Sequence, residues 1–176
     1  MQQAVCVLTL PVFRCAIEDN SYAAIQVNGY ANLTVNSSHI SAGEHGIIVS
    51  MSEHGEEIWI PGSRVETSNV SVVVENTEIY GGRYGVRCYG RAIDCRVANS
   101  HLQLNLVRAV WCQDVRSCTV ERCTMDSSHS YELAVQAVRV QTLVIDSSVI
   151  ASKTSGHVVY ASRCNSVQVR VFNISG

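Results

Sequence analysis

Apolar and polar residues alternate along most of this chain in short runs, and the runs recur. The segments VFRCAI (12–17), VNSSHI (35–40), VENTEI (74–79), VANSHL (97–102), VERCTM (120–125), IDSSVI (145–150) and VRVFNI (169–174) align without gaps. Each begins and ends on an apolar residue, and most carry a small Ser, Thr or Cys at the fourth position. A second motif precedes each of them: AVCV from 4, AIQV from 24, GIIV from 46, GVRC from 85, AVWC from 109, AVQA from 134 and HVVY from 157. Alternation with a period of two is what a strand with one buried face requires, and the i, i+3, i+4 spacing of helices is absent.

The spacing of the runs sets the architecture. The apolar anchor recurs at Val74, Val97, Val120, Ile145 and Val169, in steps of 23, 23, 25 and 24 residues, and the step from Val12 to Val35 is also 23. A repeat of that length, built of short strands separated by Asn, Asp, Ser and Gly, predicts an all-β parallel solenoid of about seven coils. Leucine-rich repeats share the period but need a leucine and asparagine framework that is missing, and propeller blades need about forty residues. In a solenoid every inward column stacks like upon like. Val12, Val35, Val74, Val97, Val120, Ile145 and Val169 are expected to form one buried ladder, and Ile17, Ile40, Ile79, Leu102, Met125, Ile150 and Ile174 another.

One step breaks the rhythm. From Val35 to Val74 the distance is 39, and the surplus falls in MSEHGEEIWIPGSRVETS, residues 51–68. This stretch is read as a loop inserted into a single domain spanning 1–176. Its Trp59, Glu56 and Glu57 are candidate binding residues, because inserted loops are where binding concentrates.

Composition narrows the picture. The hydrophobic fraction is 47% and the charged fraction 16%, as in a well-buried globular domain. A net charge of -2, with no basic cluster, gives no electrostatic case for nucleic acid. No apolar stretch is long enough to span a membrane, and the short run AVCVLTLPV lacks the basic region of a signal peptide. Lys153 is the only lysine among thirteen basic residues, so twelve are arginines, a bias that fits either composition drift or fixed surface ion pairs. The sequons at Asn32, Asn36, Asn69 and Asn173 matter only in a secretory compartment.

Eight cysteines are the most conspicuous candidate chemistry, four of them between 95 and 123. They follow the repeat: Cys88 aligns with Cys112, Cys95 with Cys118, and Cys15 and Cys123 fall in the small fourth column with Ser38, Thr77, Ser100 and Ser148. No C-x2-C pairing points to zinc. Neighbours within a ladder lie about 4.8 Å apart at Cα but point the same way, which leaves their Cβ atoms too far apart for an easy disulfide. Buried free thiols packing as small apolar residues are therefore the expectation, ahead of disulfides and of metal, and no cofactor is expected.

Acidic and aromatic columns complete the survey. The position after the anchor reads Phe13, Asn36, Glu75, Ala98, Glu121, Asp146 and Arg170, so Glu121 and Asp146 sit on adjacent coils near the separation of a retaining glycosidase pair. Flanking Arg122 and Arg170 favour a solvated ionic face over catalysis. Tyr22, Tyr84 and Tyr131 precede the first strand motif of their coils, with His45 at a similar place, and Arg87 and Trp111 take its outward third position on neighbouring coils. An aromatic stripe with a nearby arginine is a candidate surface for protein or sugar.

Along its whole length the repeat resembles the right-handed parallel β-helices of the pectin-lyase-like superfamily, and that resemblance supplies the handedness. The calcium-binding Asp cluster and catalytic arginine arrangement of pectate lyases are not found. The phrases VERCTM, GVRC and SRCNSV are similar to cysteine-rich coils of the adenoviral large early transforming protein and of the trimeric capsid protein that interlaces hexons in reptilian adenoviruses. The first strand motif begins at Ala4 and the last coil stops at Ile174, so no capping helix is expected and the exposed strand edges call for assembly or a longer parent chain. Together these resemblances imply a noncatalytic viral structural protein, a lateral homotrimer binding capsid or host proteins in the virion or in a reducing intracellular setting. The rival expectation is a tailspike-like module that binds or cleaves a polysaccharide, as glycosidase or lyase.

Overall fold

The structure is a computed structural model, and it describes residues 8–20, 22–29, 31–50, 70–90, 93–103, 106–126, 133–151 and 158–175. The predicted loop at 51–68, with Trp59, Glu56 and Glu57, lies outside the described residues, as does Tyr131.

Each of the first five circuits of the chain lays down three short strands. The first comprises β1 (Leu8–Phe13), β2 (Ala16–Asn20) and β3 (Ala23–Asn28), and the second β4 (Ala31–Asn36), β5 (His39–Ala42) and β6 (His45–Ser50). Next come β7 (Val70–Glu75), β8 (Glu78–Gly81) and β9 (Tyr84–Tyr89), then β10 (Ile93–Ala98), β11 (His101–Gln103) and β12 (Arg108–Gln113). The chain continues through β13 (Ser117–Glu121), β14 (Thr124–Asp126) and β15 (Leu133–Val138); beyond it β16 (Thr142–Ala151) spans the first two faces and β17 (Val159–Ser162) the third, and β18 (Ser166–Ser175) lies on β16 one circuit further on.

Every strand pairs in parallel with its equivalents one circuit away, which makes the molecule a parallel β-solenoid of about 5 turns with no helix among the described residues. The face β3-β6-β9-β12-β15-β17 is a separate 6-stranded sheet. The other two faces merge into a 12-stranded sheet because β16 and β18 run unbroken through the bend that elsewhere separates two strands.

The register reproduces both predicted ladders. Val12 pairs with Val35, Val35 with Val74, Val74 with Val97, Val97 with Val120, Val120 with Ile145 and Ile145 with Val169. The second runs Ile17, Ile40, Ile79, Leu102, Met125, Ile150, Ile174 by the same pairings. From Val35 through Ile145, and from Ile40 through Ile150, these side chains are fully buried, each contributing about 1.5–3 kcal/mol. At the end of the stack Val169 is 44% exposed, since β18 has a strand on one side only.

The fourth-position column has a specific task. Between the anchor strand and the next, the chain bends through a left-handed residue: Arg14, Ser37, Asn76, Asn99, Arg122 and Ser147 all have φ between 47° and 52°. Asn and Ser tolerate this conformation through local hydrogen bonds, whereas arginine adopts it at a cost of about 1 kcal/mol. The small residue that follows ties the bend down. Ser38 Oγ, Thr77 Oγ1, Ser100 Oγ and Ser148 Oγ each donate to the carbonyl two residues back, at 3.0, 2.7, 2.7 and 3.0 Å. The same hydroxyls accept from backbone N–H groups of the preceding circuit: Cys15 N to Ser38, Thr77 N to Ser100 and Cys123 N to Ser148, at 3.3, 3.2 and 3.2 Å. Cys15 and Cys123 take the donor role with thiols, Cys123 reaching the Glu121 carbonyl at 3.3 Å. Burial pushes the Cys123 thiol up to about 11, so it is a packed donor rather than a nucleophile at neutral pH.

Glycine is required at one packing position. A Cβ on Gly46 would lie 2.6 Å from the Gly85 carbonyl oxygen and 2.7 Å from Ile79 Cγ2, so β6 and β9 approach each other only with a bare backbone there.

Candidate functional site

The three predicted chemistries separate cleanly in space. Glu121 and Asp146 are register partners on β13 and β16, as the alignment implies. Both carboxylates are held by arginine. Arg96 bridges Glu75 and Glu121, reaching Glu121 at 3.1 Å, across a circuit whose equivalent residue is the buried Ala98. Arg122 lies 3.7 Å from Glu121, and Arg170 lies 3.4 Å from Asp146. The Arg96 guanidinium is held above its ordinary value, first by its bond to Glu75. A surface depression of 500 Å³ is lined by Asp146, Ser147, Arg170 and Val171, without Glu121. Two more arginines are paired nearby: Arg116 Nε donates to Asp94 at 2.8 Å, and Arg139 grips Asp114 through two nitrogens at 2.5 and 2.6 Å. These contacts organise the described carboxylates Glu75, Glu121, Asp146, Asp94 and Asp114 as ion pairs.

The aromatic column on the 6-stranded face is continuous. Tyr22 meets His45 edge-on at 5.1 Å, His45 stacks on Tyr84 at 5.0 Å, and Tyr84 tilts against Trp111 at 5.4 Å. Arg87 and Trp111 are register partners on β9 and β12, and the Arg87 guanidinium lies 4.1 Å from the Trp111 ring centroid, within range of Tyr84 and Tyr89 as well. Arg108, in register with Tyr84, adds a second guanidinium 5.0 Å from Trp111. Stacking on several faces of rings is what a planar, weakly hydrated guanidinium does well.

Polar satisfaction fails along this same face. Arg87 Nε, Trp111 Nε1 and Gln136 Oε1 are buried atoms without a hydrogen-bond partner, and they belong to three successive register positions of β9, β12 and β15. His45 Nδ1 on β6 is a fourth. Burial of the His45 ring, reinforced by the nearby Arg87 charge, lowers its pKa below the ordinary value of 6.5, so the ring that stacks on Tyr84 is neutral at pH 7. Native proteins keep such orphans rare, and local departures from good design concentrate at functional sites.

Sequence reasoning placed Tyr22, His45, Tyr84, Arg87 and Trp111 on this face. It missed Arg108 and Gln136, although RAVWC and LAVQA align with YGVRC and so carry the signal.

The expectation of buried free thiols needs correction at one pair, and also at Cys15, whose thiol is free but exposed at the first rung. Cys112 and Cys118 form a disulfide, with Cα atoms 6.4 Å apart. The bond does not run along a ladder, where side chains are parallel. It crosses the corner between β12 and β13, where inward side chains from two faces converge. Cys15, Cys88, Cys95, Cys123 and Cys164 are free thiols. Among the described residues no group of three or more His, Cys, Asp or Glu side chains is disposed to hold a metal ion, and no helix is long and apolar enough to cross a membrane.

Comparison with known proteins finds no family model, no curated protein and no solved structure that matches the chain.

Proposed function

We propose that the protein is a noncatalytic interaction module, a rigid prism whose 6-stranded face binds a protein partner through Tyr84, Arg87, Arg108 and Trp111. The observation that carries this reading is the run of unpartnered buried polar atoms at Arg87, Trp111 and Gln136, set within a guanidinium-on-ring cluster. Trp, Tyr and Arg are the side chains that dominate hot spots in protein interfaces, and a rotamer change of the stacked rings on docking brings the buried donors and acceptors to a partner's peptide groups. The arginines of the neighbouring face already have carboxylate partners, whereas Arg87 faces rings.

The finer reading follows the sequence resemblance. It takes the solenoid as right-handed and pectin-lyase-like, counts the outer rungs at Val12 and Val169 to reach seven coils, and assigns the chain to a viral structural protein assembled as a lateral homotrimer. The right-handed crossover usual for parallel strands supports the handedness. Light scattering tests the assembly: a monomer at all concentrations rejects the trimer.

The binding test compares wild type with Trp111→Ala, Arg87→Ala and Arg96→Ala against a displayed random-peptide library and a glycan array. Peptide ligands lost by the first two variants and kept by the third support the proposal. Ligands indifferent to Trp111 and Arg87 reject the face. Glycan ligands without peptide ligands replace the proposal by the tailspike-like alternative, for which the aromatic column is the supporting feature; cleavage abolished by Glu121→Gln and Asp146→Asn is then the sign of an enzyme.

A further inference from the structure

Cys88 and Cys95 repeat the disulfide's arrangement one circuit earlier. Cys88 is the register partner of Cys112 on the 6-stranded face, and Cys95 is the register partner of Cys118 on the adjoining one. Across the corner, Cys88 Sγ and Cys95 Sγ lie 3.1 Å apart, and both residues are buried. The corner does not need sulfur to pack. The same two columns are filled by Val27 with Leu33, and by Ala137 with Leu143, in other circuits, and these four side chains are buried as well. Both columns hold cysteine in two successive circuits only, so the four sulfurs stack as two facing pairs.

We propose that Cys88 and Cys95 form a second cross-corner disulfide directly beneath Cys112–Cys118, giving the prism a double covalent staple between two faces. The oxidant is a low-molecular-weight disulfide such as oxidised glutathione. One cysteine thiolate attacks it, forming a mixed disulfide and releasing one glutathione thiolate. The second cysteine thiolate then attacks the protein sulfur of that mixed disulfide, closing the Cys88–Cys95 bond and releasing the second glutathione. The two thiol protons pass to the two glutathione thiolates, so two thiols are oxidised and one disulfide is reduced.

The folded core sets when this happens. In the closed corner the Cys88 thiol is held well above its ordinary value, first by its contact with Cys95 and then by burial, so little thiolate is present and the oxidant has no access. Oxidation therefore belongs to folding, or to opening of the corner, and a chain folded under reduction keeps the pair as thiols.

The test refolds the full chain from denaturant in a glutathione redox buffer, traps thiols with an alkylating agent in denaturant, and maps the cross-linked peptides by mass spectrometry. The expected result is one peptide pair linked through Cys88 and Cys95 and another through Cys112 and Cys118. A Cys112→Ser/Cys118→Ser variant is expected to keep the first link, and the wild-type map decides the matter if that variant does not fold. Chain folded under reduction and then exposed to the same buffer is expected to form the Cys88–Cys95 link at least tenfold more slowly than chain refolded in it. Full alkylation of Cys88 and Cys95 after oxidative refolding overturns the proposal, and so does either of them linked to Cys112, Cys118 or another cysteine.

Discussion

Two outward faces of the same solenoid use arginine in opposite ways. On the 12-stranded sheet Arg96 is clasped between Glu75 and Glu121, with Arg116 on Asp94 and Arg170 on Asp146 in the same style. On the 6-stranded sheet Arg87 lies over Trp111, Tyr84 and Tyr89 and has an unpartnered Nε. Both settings are products of one geometric rule, the stacking of equivalent positions every circuit. What differs is the column into which the side chain reaches. A column of alternating acids closes the arginine into the fold's own ion pairs, whereas a column of rings holds it in place and leaves its Nε without a partner. The first face closes its arginines into ion pairs; the second leaves Arg87 Nε, Trp111 Nε1 and Gln136 Oε1 without a hydrogen-bond partner.

The contrast can be broken most forcefully where the two faces are joined. Replacing both Cys112 and Cys118 by serine removes a short covalent loop across the corner and should cost about 2 kcal/mol in urea unfolding, while leaving the far-UV spectrum of a β protein. Next in size is Arg96→Ala. It removes the cation that Glu75 and Glu121 share, leaving Glu121 only the Arg122 contact at 3.7 Å, and should lower stability by about 1 kcal/mol, an amount that shrinks in high salt because the side chains are partly exposed. Arg87→Ala sharpens the comparison from the other side. It forfeits a cation–π contact of about 0.5 kcal/mol but also removes a buried unpartnered nitrogen, so stability should change little and show no salt dependence, while partner binding falls.

The smallest effect is expected from acid. Folding favours the neutral form of His45, so its contribution is intact above pH 6.5 and drains away as pH falls through the depressed folded-state value. Stability measured downward from pH 7 should fall more for wild type than for His45→Gln; parallel curves would detach His45 from the column.

How much of this was legible in the sequence depends on whether a feature lives within a column or between columns. Val97 over Val120, and Leu102 over Met125, could be read from the period alone, because residues one repeat apart must stack. Trp111 beside Arg87 was legible for the same reason. The disulfide was not. Alignment placed Cys112 above Cys88 and Cys118 above Cys95, but it does not say which column faces which across the interior, and the bond joins residues of different columns. The hydroxyl column showed the same limit: its small residues were visible at Ser38, Thr77, Ser100 and Ser148, while the bonds that explain them run to backbone groups of the bend. The surplus residues of the 39-residue step, 51–68 with Trp59 among them, fall outside the described structure, so their role rests on sequence alone.

That hydroxyl column also gives the stack a direction in time. The N–H of Thr77 is satisfied by Ser100, and that of Cys123 by Ser148, always the circuit that follows. A bend is thus left with an open donor until the next stretch of chain arrives to close it. On a ribosome, where earlier residues emerge first, the Thr77 and Cys123 donors stay open until Ser100 and Ser148 have emerged.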